Sequence, residues 1–401
     1  MHDLIVVGGG PAGAVCARTA AEAGLDVLLL EKEKHPRFKL CGGALSKRVE
    51  DLLDIDISPV IERRVKSVKI SAGYDQSTTW TRDDTTGILV RRSDFDQLLV
   101  KHARDAGAEV IEQCKVLRVE QTRKGIRALA IGDSFKGRLV VGADGVNSTV
   151  ARSLKIRERW DLKSVALCIG GDAILNRESM NKIMKDSEGN LNPALELYFG
   201  LVKWGYAWCF PHSDRLNIGI GCRMDQSISL KEEWEKFLSH FKKMRGVDFV
   251  IQNQSSFRVP FGGEKRRLTA RRAVLIGDAA GLVSPVTGEG IYYALKSGML
   301  AGNLAVQTVR EKNPLVFRTY QERIERSIVE ELSVAKFLAE MLFKSKNNIS
   351  MAVEIAKDDL TIRNYMIDFV TGFRPASEMR RKMMKHMLRY HPLKAIRIGL
   401  R

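Results

Sequence analysis

Apolar and polar positions follow three regimes along the chain. Residues 3–7 (DLIVV) form a short apolar run that ends in GGG, and PAGAVCARTAAEAG then places small and apolar residues at helical spacing until Gly24. A second apolar run over 26–30 ends at Glu31. The pattern predicts strand, glycine turn, helix, strand and acid. A loop rich in Lys, Pro and Gly follows over 32–46, and VKSVKISAG and GILV alternate as antiparallel strands. Residues 94–107 (DFDQLLVKHARDAG) predict a helix capped by Ser93 or Asp94 and closed by Gly107.

The regime changes near 155. Up to about 260 the period is two, with aromatic clusters in ALELYFG and YAWCFP, interrupted by one helical stretch, EEWEKFLSHFKKM. At RRAVLIGDAAG the strand-then-glycine pattern returns, and beyond Leu300 nearly everything has helical period. No repeat of fixed period is visible.

The chain has 401 residues, 44% of them hydrophobic, 28% charged and only 10 proline, the balance of a folded protein with a large core. No apolar run reaches the roughly eighteen residues of a membrane span, and no basic stretch precedes an apolar core at the N-terminus, so a cytoplasmic location is expected. Cys16, Cys41, Cys114, Cys168, Cys209 and Cys222 contain no CxxC pair, which argues against a disulfide framework and a zinc site, and no metal is expected. A net charge of +17 implies an anionic partner, such as lipid headgroups, nucleic acid or an acidic redox protein. No RNA-binding motif accompanies it, so nucleic acid is set aside.

GGGPAG places Gly8, Gly10 and Gly13 at the GxGxxG positions, with Pro11 and Ala12 opening the helix. Glycine serves where the turn needs unusual φ, where backbone approaches a pyrophosphate, and where helix packs tightly on strand. Glu31, 18 residues after Gly13, suits ribose hydroxyls, and Lys32 follows it. This fingerprint alone does not separate NAD from FAD. Two later segments do: RLVVGADGVNSTVAR turns at Asp144 and Gly145, and AVLIGDAAGLVSPVTGEGIYYAL turns at Gly277 and Asp278. Together with Arg92 in VRRSDFDQLL they resemble the p-hydroxybenzoate hydroxylase-like flavoproteins, whose FAD domain is assembled from separated pieces of chain.

The resemblance implies FAD as cofactor, with Asp278 near its ribitol or pyrophosphate and the helix starting near 288–291 offering N–H groups. Asp144 either contacts the cofactor or stabilises its own turn. The expected cofactor-binding set is completed by Cys41, Gly42, Val116, Pro285, Gly288, Gly290 and Ile291. The fold expected is α/β: a Rossmann-type FAD-binding domain from discontinuous segments (1–60, 90–155, 262–310), an antiparallel sheet domain for substrate (61–89, 156–261), and a helical C-terminal region (311–401).

KLCGGALS and GYAWCFP are similar to the CxGG and YxWxFP signatures of geranylgeranyl reductases, although Cys41-Gly42-Gly43 is one residue shorter than the commonest spacing. That likeness implies saturation of C=C bonds in a prenylated lipid or quinone, by hydride from flavin N5 and a proton, in a dry cavity. Cys41, Gly42, Gly43, Tyr206, Trp208 and Phe210 are the residues it points to. Cys41 is a proton donor or gate, or a small buried hydrophobe; the aromatic trio lines a tunnel or packs the core. No second GxGxxG is present, so electrons are expected from transient NAD(P)H or a ferredoxin-like carrier. A monooxygenase or halogenase of the same fold is the alternative, and a nucleic-acid-modifying flavoprotein the more distant one. Residues 378–401 join helical period to many Arg and Lys, reading as a helix on anionic lipid or as a packed cap. A monomer, peripheral at the inner face of the cell membrane, is expected.

Overall fold

Strand His2–Val7 lies between Val27–Leu30 and Ser134–Gly142, parallel to both, and Glu109–Ile111 and Ala273–Leu275 extend the parallel run on either side. Parallel strands covered on both faces call for continuous apolar sequence. LIVV, VLLL, LVV and AVL supply it, with Leu4, Ile5, Leu28, Leu29, Val140 and Val274 fully buried. The computed structural model describes residues 1–398 except 187, 373 and 375. Helices Pro11–Glu22 and Ile291–Arg310 cross in backbone contact: a Cβ on Gly298 would sit 2.3 Å from the Ala12 carbonyl oxygen, and one on Gly302 2.9 Å from that of Cys16. Two glycines one turn apart therefore bring the late segment onto the first helix.

A seven-stranded sheet runs in the order Val250–Pro260, Val165–Ile174, Leu216–Arg223, Gly205–Pro211, Ala194–Phe199, Ser67–Ala72, Gln76–Thr81. Neighbours are antiparallel except Ala194–Phe199 beside Ser67–Ala72, which come from distant parts of the chain and pair parallel. Successive side chains point to opposite faces. Tyr198, Ala207 and Cys209 meet Trp234, Phe237 and Phe241 of helix Leu230–Arg245. Leu197 and Trp208 face Leu338, Phe343 and Val353 of the C-terminal helices. Strands Ile61–Val65 and Gly87–Val90 do not join this sheet; they pair with Ala44–Ser46 in a three-stranded one, next to the Cys41–Gly43 loop.

Two local expectations are corrected. The helix expected from 94 is Arg92–Asp105, with Arg91 at its N-cap and no side-chain cap, because Arg92 inside the first turn reaches Asp96 one turn on. Gly107 follows its end at φ +97°, as expected of a terminating glycine.

The basic tail is two helices, Ala376–Tyr390 and Pro392–Ile398, because Pro392 disfavours helical backbone at His391. Its apolar side is largely covered by protein: Met379 and Met387 are buried, the latter against Met351, Ile355 and Ile362, whereas Leu388, Tyr390 and Leu393 stay exposed. Residues 399–401 lie outside the described residues. Among the described residues no helix is long and apolar enough to cross a membrane.

Candidate active site

The glycine turn leaves no room for side chains where the chain touches itself. A Cβ on Gly8 (φ +108°) would lie 2.4 Å from the Ala143 carbonyl oxygen, and one on Gly13 1.9 Å from that of Gly8. Above Gly10 the space is open, with Arg37 3.6 Å away. Helix Pro11–Glu22 starts there without a side-chain cap, so its first N–H groups are free for an anion. Glu31, at the end of its strand and 4% exposed, accepts from Gly9 N at 2.6 Å and Glu33 N at 3.0 Å. Lys32 points to solvent beside Glu33, and the Val116 side chain goes into the apolar core.

Asp144 serves its own turn with one oxygen: Oδ2 accepts from Thr149 N at 2.6 Å and Val150 N at 3.0 Å. Its Oδ1 is buried without a donor, and burial raises the carboxyl above the ordinary range. Gly277 (φ +54°) is anchored by Ser297 Oγ at 3.0 Å from its N, which aims Asp278 toward Gly290 at the start of helix Ile291–Arg310. Burial raises the Asp278 carboxyl too, opposed by the charges of Lys39 and Arg92.

Lys39 and Asp96 were not legible as site residues, although Lys39 stands in KLCGG itself. Arg92 is held by both oxygens of Asp96 at 2.8 Å, and Arg37 reaches the same carboxylate at 3.3 Å. The Lys39 ammonium is buried over the Phe257 ring with no acceptor. Burial pushes it down to about 7, and Arg92 and Arg37 act in the same direction against Asp278 and Cys41. The Lys39 ammonium lacking an acceptor and the Asp144 Oδ1 lacking a donor fit the phosphates and hydroxyls of FAD, which Gly8–Gly13, Glu31, Lys39, Arg92, Asp144 and Asp278 would hold.

Cys41 lies beside Arg92, and its Sγ accepts from Gly43 N at 3.4 Å. A Cβ on Gly42 would come 2.6 Å from the Phe210 ring, and Gly43 takes φ +70° with Val90 O 2.3 Å from where a Cβ would be. The aromatic residues of Gly205–Pro211 share one face, as their alternation predicts. Phe210 abuts Gly42, Trp208 packs over Gly219 and donates to Asn217 Oδ1 at 2.9 Å, and the Tyr206 hydroxyl donates to Thr287 O at 2.5 Å beside Gly288. One strand thus joins the Cys41–Gly43 loop to the loop of Pro285, Gly288 and Gly290. Arg48 fixes that second loop through Glu289 at 2.9 Å and Glu331 at 2.7 Å. Trp208 is also core, packed in the cluster that includes Leu197 and Leu338.

His212 and Glu62 complete the support. Buried His212 places Nε2 3.0 Å from the Gly42 carbonyl oxygen and Nδ1 2.5 Å from Glu62 Oε2. The Gly42 carbonyl can only accept, so Nε2 is the donor there, while Nδ1 lies between the Glu62 carboxylate and the Arg215 guanidinium, 3.3 Å from Nη2. Glu62 is also held by Arg215 at 2.9 and 3.1 Å. Burial alone would raise the Glu62 carboxyl, but hydrogen bonds from His212 and Arg215 outweigh it and hold it well below the usual carboxylate range. The only local sign of His212 was its place directly after YAWCFP. Glu62 had none.

Residues 1–169 match the FAD binding domain family. The digeranylgeranylglycerophospholipid reductase 1 of Methanothermobacter thermautotrophicus is 30% identical over 346 residues, covering 82% of this chain and 84% of that protein. The digeranylgeranylglycerophospholipid reductase of Methanococcus vannielii is 28% identical over 78% of each chain. Among solved structures, a geranylgeranyl bacteriochlorophyll reductase-like protein from Thermoplasma acidophilum superposes with a TM-score of 0.83 at 22% identity over 99% of this chain and 98% of that one. A flavin-dependent brominase shares the fold at a TM-score of 0.71 and 18% identity, over 96% and 98% of the two chains. The cofactor is FAD and the protein is a flavin oxidoreductase. With the cradle, the Cys-Gly-Gly loop and the aromatic strand assembled around one site, the chain belongs to the geranylgeranyl reductase family.

Proposed function

We propose that the chain saturates isolated C=C bonds of prenyl chains carried by a lipid or quinone. The observation that carries this reading is the joint between Cys41–Gly43 and the aromatic face of Gly205–Pro211, which sets a thiol and apolar rings beside the FAD cradle. An unactivated alkene offers no polar handle, so the protein must orient it by shape and keep water away. Tyr206, Trp208 and Phe210 suit both tasks. Reduced FAD, when bound, supplies the hydride to one alkene carbon. The other carbon needs a proton, which Cys41 Sγ–H is placed to give. The resulting thiolate is then faced by the Arg92 guanidinium and the Gly43 N–H, and is reprotonated from solvent. The names of the relatives favour a geranylgeranylated phospholipid as the lipid.

Such a substrate resides in a membrane, and this reading places the protein on an anionic bilayer surface. Net charge of +17 and the exposed Leu388, Tyr390 and Leu393 of the basic C-terminal helices support it. The test is anaerobic. The FAD-loaded enzyme is photoreduced and mixed with a geranylgeranylated phospholipid, and flavin reoxidation is followed together with lipid mass. Reoxidation with a gain of two hydrogens per bond is expected. If only oxygen reoxidises the flavin and an aromatic substrate gains oxygen or halogen, the reductase reading fails.

A further inference from the structure

Two of the seven histidines of the chain meet one aspartate in the helical region, in a cluster that shares no residue with the flavin site. Asp359 caps helix Leu360–Val370, its Oδ1 accepting from Thr361 N at 2.8 Å and Ile362 N at 3.0 Å. The cap fixes the carboxylate and leaves Oδ2, which lies 2.8 Å from Nε2 of both His386 and His391. His386 stands one turn before the end of Ala376–Tyr390, packed on Tyr390 with ring centroids 4.5 Å apart. His391 occupies the break that Pro392 imposes, and the break turns the second imidazole to the same oxygen.

We infer that Asp359, His386 and His391 bind a divalent transition metal of the zinc type through two nitrogens and one oxygen, with a fourth position open to water. The donor atoms already lie within 4.8 Å of one another. The histidines are separated by four residues, inside the H-x3–5-H spacing of zinc sites, and imidazole with carboxylate suits a borderline cation. Ligand atoms around a tetrahedral ion at about 2.0–2.2 Å stand about 3.3–3.6 Å apart, so the two N···O contacts need open only by roughly 0.5–0.8 Å. Side-chain exposures of 20% for His386, 23% for His391 and 15% for Asp359 leave a path for a hydrated ion. Absence of paired cysteines does not bear on this site, which uses none. Bound there, the ion staples the last two helices to the corner between Lys346–Asp358 and Leu360–Val370.

The test titrates tag-free, chelator-stripped holoenzyme with Co2+ and then Zn2+. One Co2+ per chain is expected, with the d–d absorption of a four-coordinate site, displacement by Zn2+ and a higher melting temperature in Zn2+. His386→Ala and His391→Ala should each weaken binding at least tenfold, and the double variant should abolish it. His391→Cys should keep the ion and add a thiolate-to-cobalt charge-transfer band, which locates the ion even if an alanine variant loses its flavin. The inference is overturned if wild type binds neither ion at micromolar concentration, in which case the cluster is a hydrogen-bonded clasp alone. It is equally overturned if the double variant, flavin spectrum intact, binds as wild type does through thiols elsewhere, or if the cysteine variant shows no such band.

Discussion

Replacing His212 by Gln or by Asn separates its two hydrogen bonds. A Gln amide extends about as far as Nε2 and retains a donor for the Gly42 carbonyl, whereas an Asn amide sits near Nδ1 and retains only the Glu62 side. A bond of this kind is worth about 0.5–1.5 kcal/mol. The Asn variant should therefore open the loop over 39–46 more readily by about 2- to 13-fold. Because Phe210 rests on Gly42, displacement of the loop also disturbs the aromatic wall. The assay is amide hydrogen exchange of the loop peptide, paired with the anaerobic reoxidation rate. His212→Gln is expected to stay within a few-fold of wild type in both readouts, and His212→Asn to lose protection and turnover together. Global stability should rank the other way, because only Asn preserves a donor to half-buried Glu62. Wild-type loop protection in His212→Asn would refute the positioning role, as would equal loss of turnover in both variants with the loop still protected.

Lys39, pushed down to about 7 by burial from an unfolded value of about 10.4, makes the unfolded chain bind more protons than the folded one between those values. Stability of FAD-stripped protein should thus rise with pH from 7 toward 10, and the rise should flatten in Lys39→Met when followed by urea denaturation. Glu62 has the opposite form: its folded pKa is depressed, so its contribution is present above the unfolded value near about 4.3 and fades as pH falls further. Acid denaturation curves of wild type and Glu62→Gln should converge as pH drops below 4; curves that stay parallel there contradict the assignment. Gly298→Ala drives a Cβ against the Ala12 backbone and should cost about 1–3 kcal/mol, despite the usual gain of Gly to Ala in a helix, and weaken FAD binding. A higher melting temperature with unchanged FAD affinity would contradict the close crossing of those helices.

By itself the sequence determined what depends on near neighbours. Continuous apolar runs marked the buried parallel strands, period two marked Gly205–Pro211, and the spacing of Gly8, Gly10 and Gly13 marked the tight turn before the first helix, because each signal is complete within one strand or helical turn. The strand-to-glycine turn at Gly277 was legible for the same reason, whereas a role for Asp278 came from the family resemblance. Even local signals misplaced boundaries where a distant contact had the larger stake: Arg92 belongs to its helix because it serves Asp96 and Cys41. Nor did the pattern say that the methionines of Ala376–Tyr390 face protein. Tertiary structure alone decided the rest. Glu62 and His212 are 150 residues apart, Arg48 and Glu331 283 apart, and their partnership depends on which strands and helices pack side by side. Lys39 carries no mark in the sequence of being buried against Phe257 near Asp278, because desolvation is set by everything that surrounds a group, and nearly all of that comes from elsewhere in the chain.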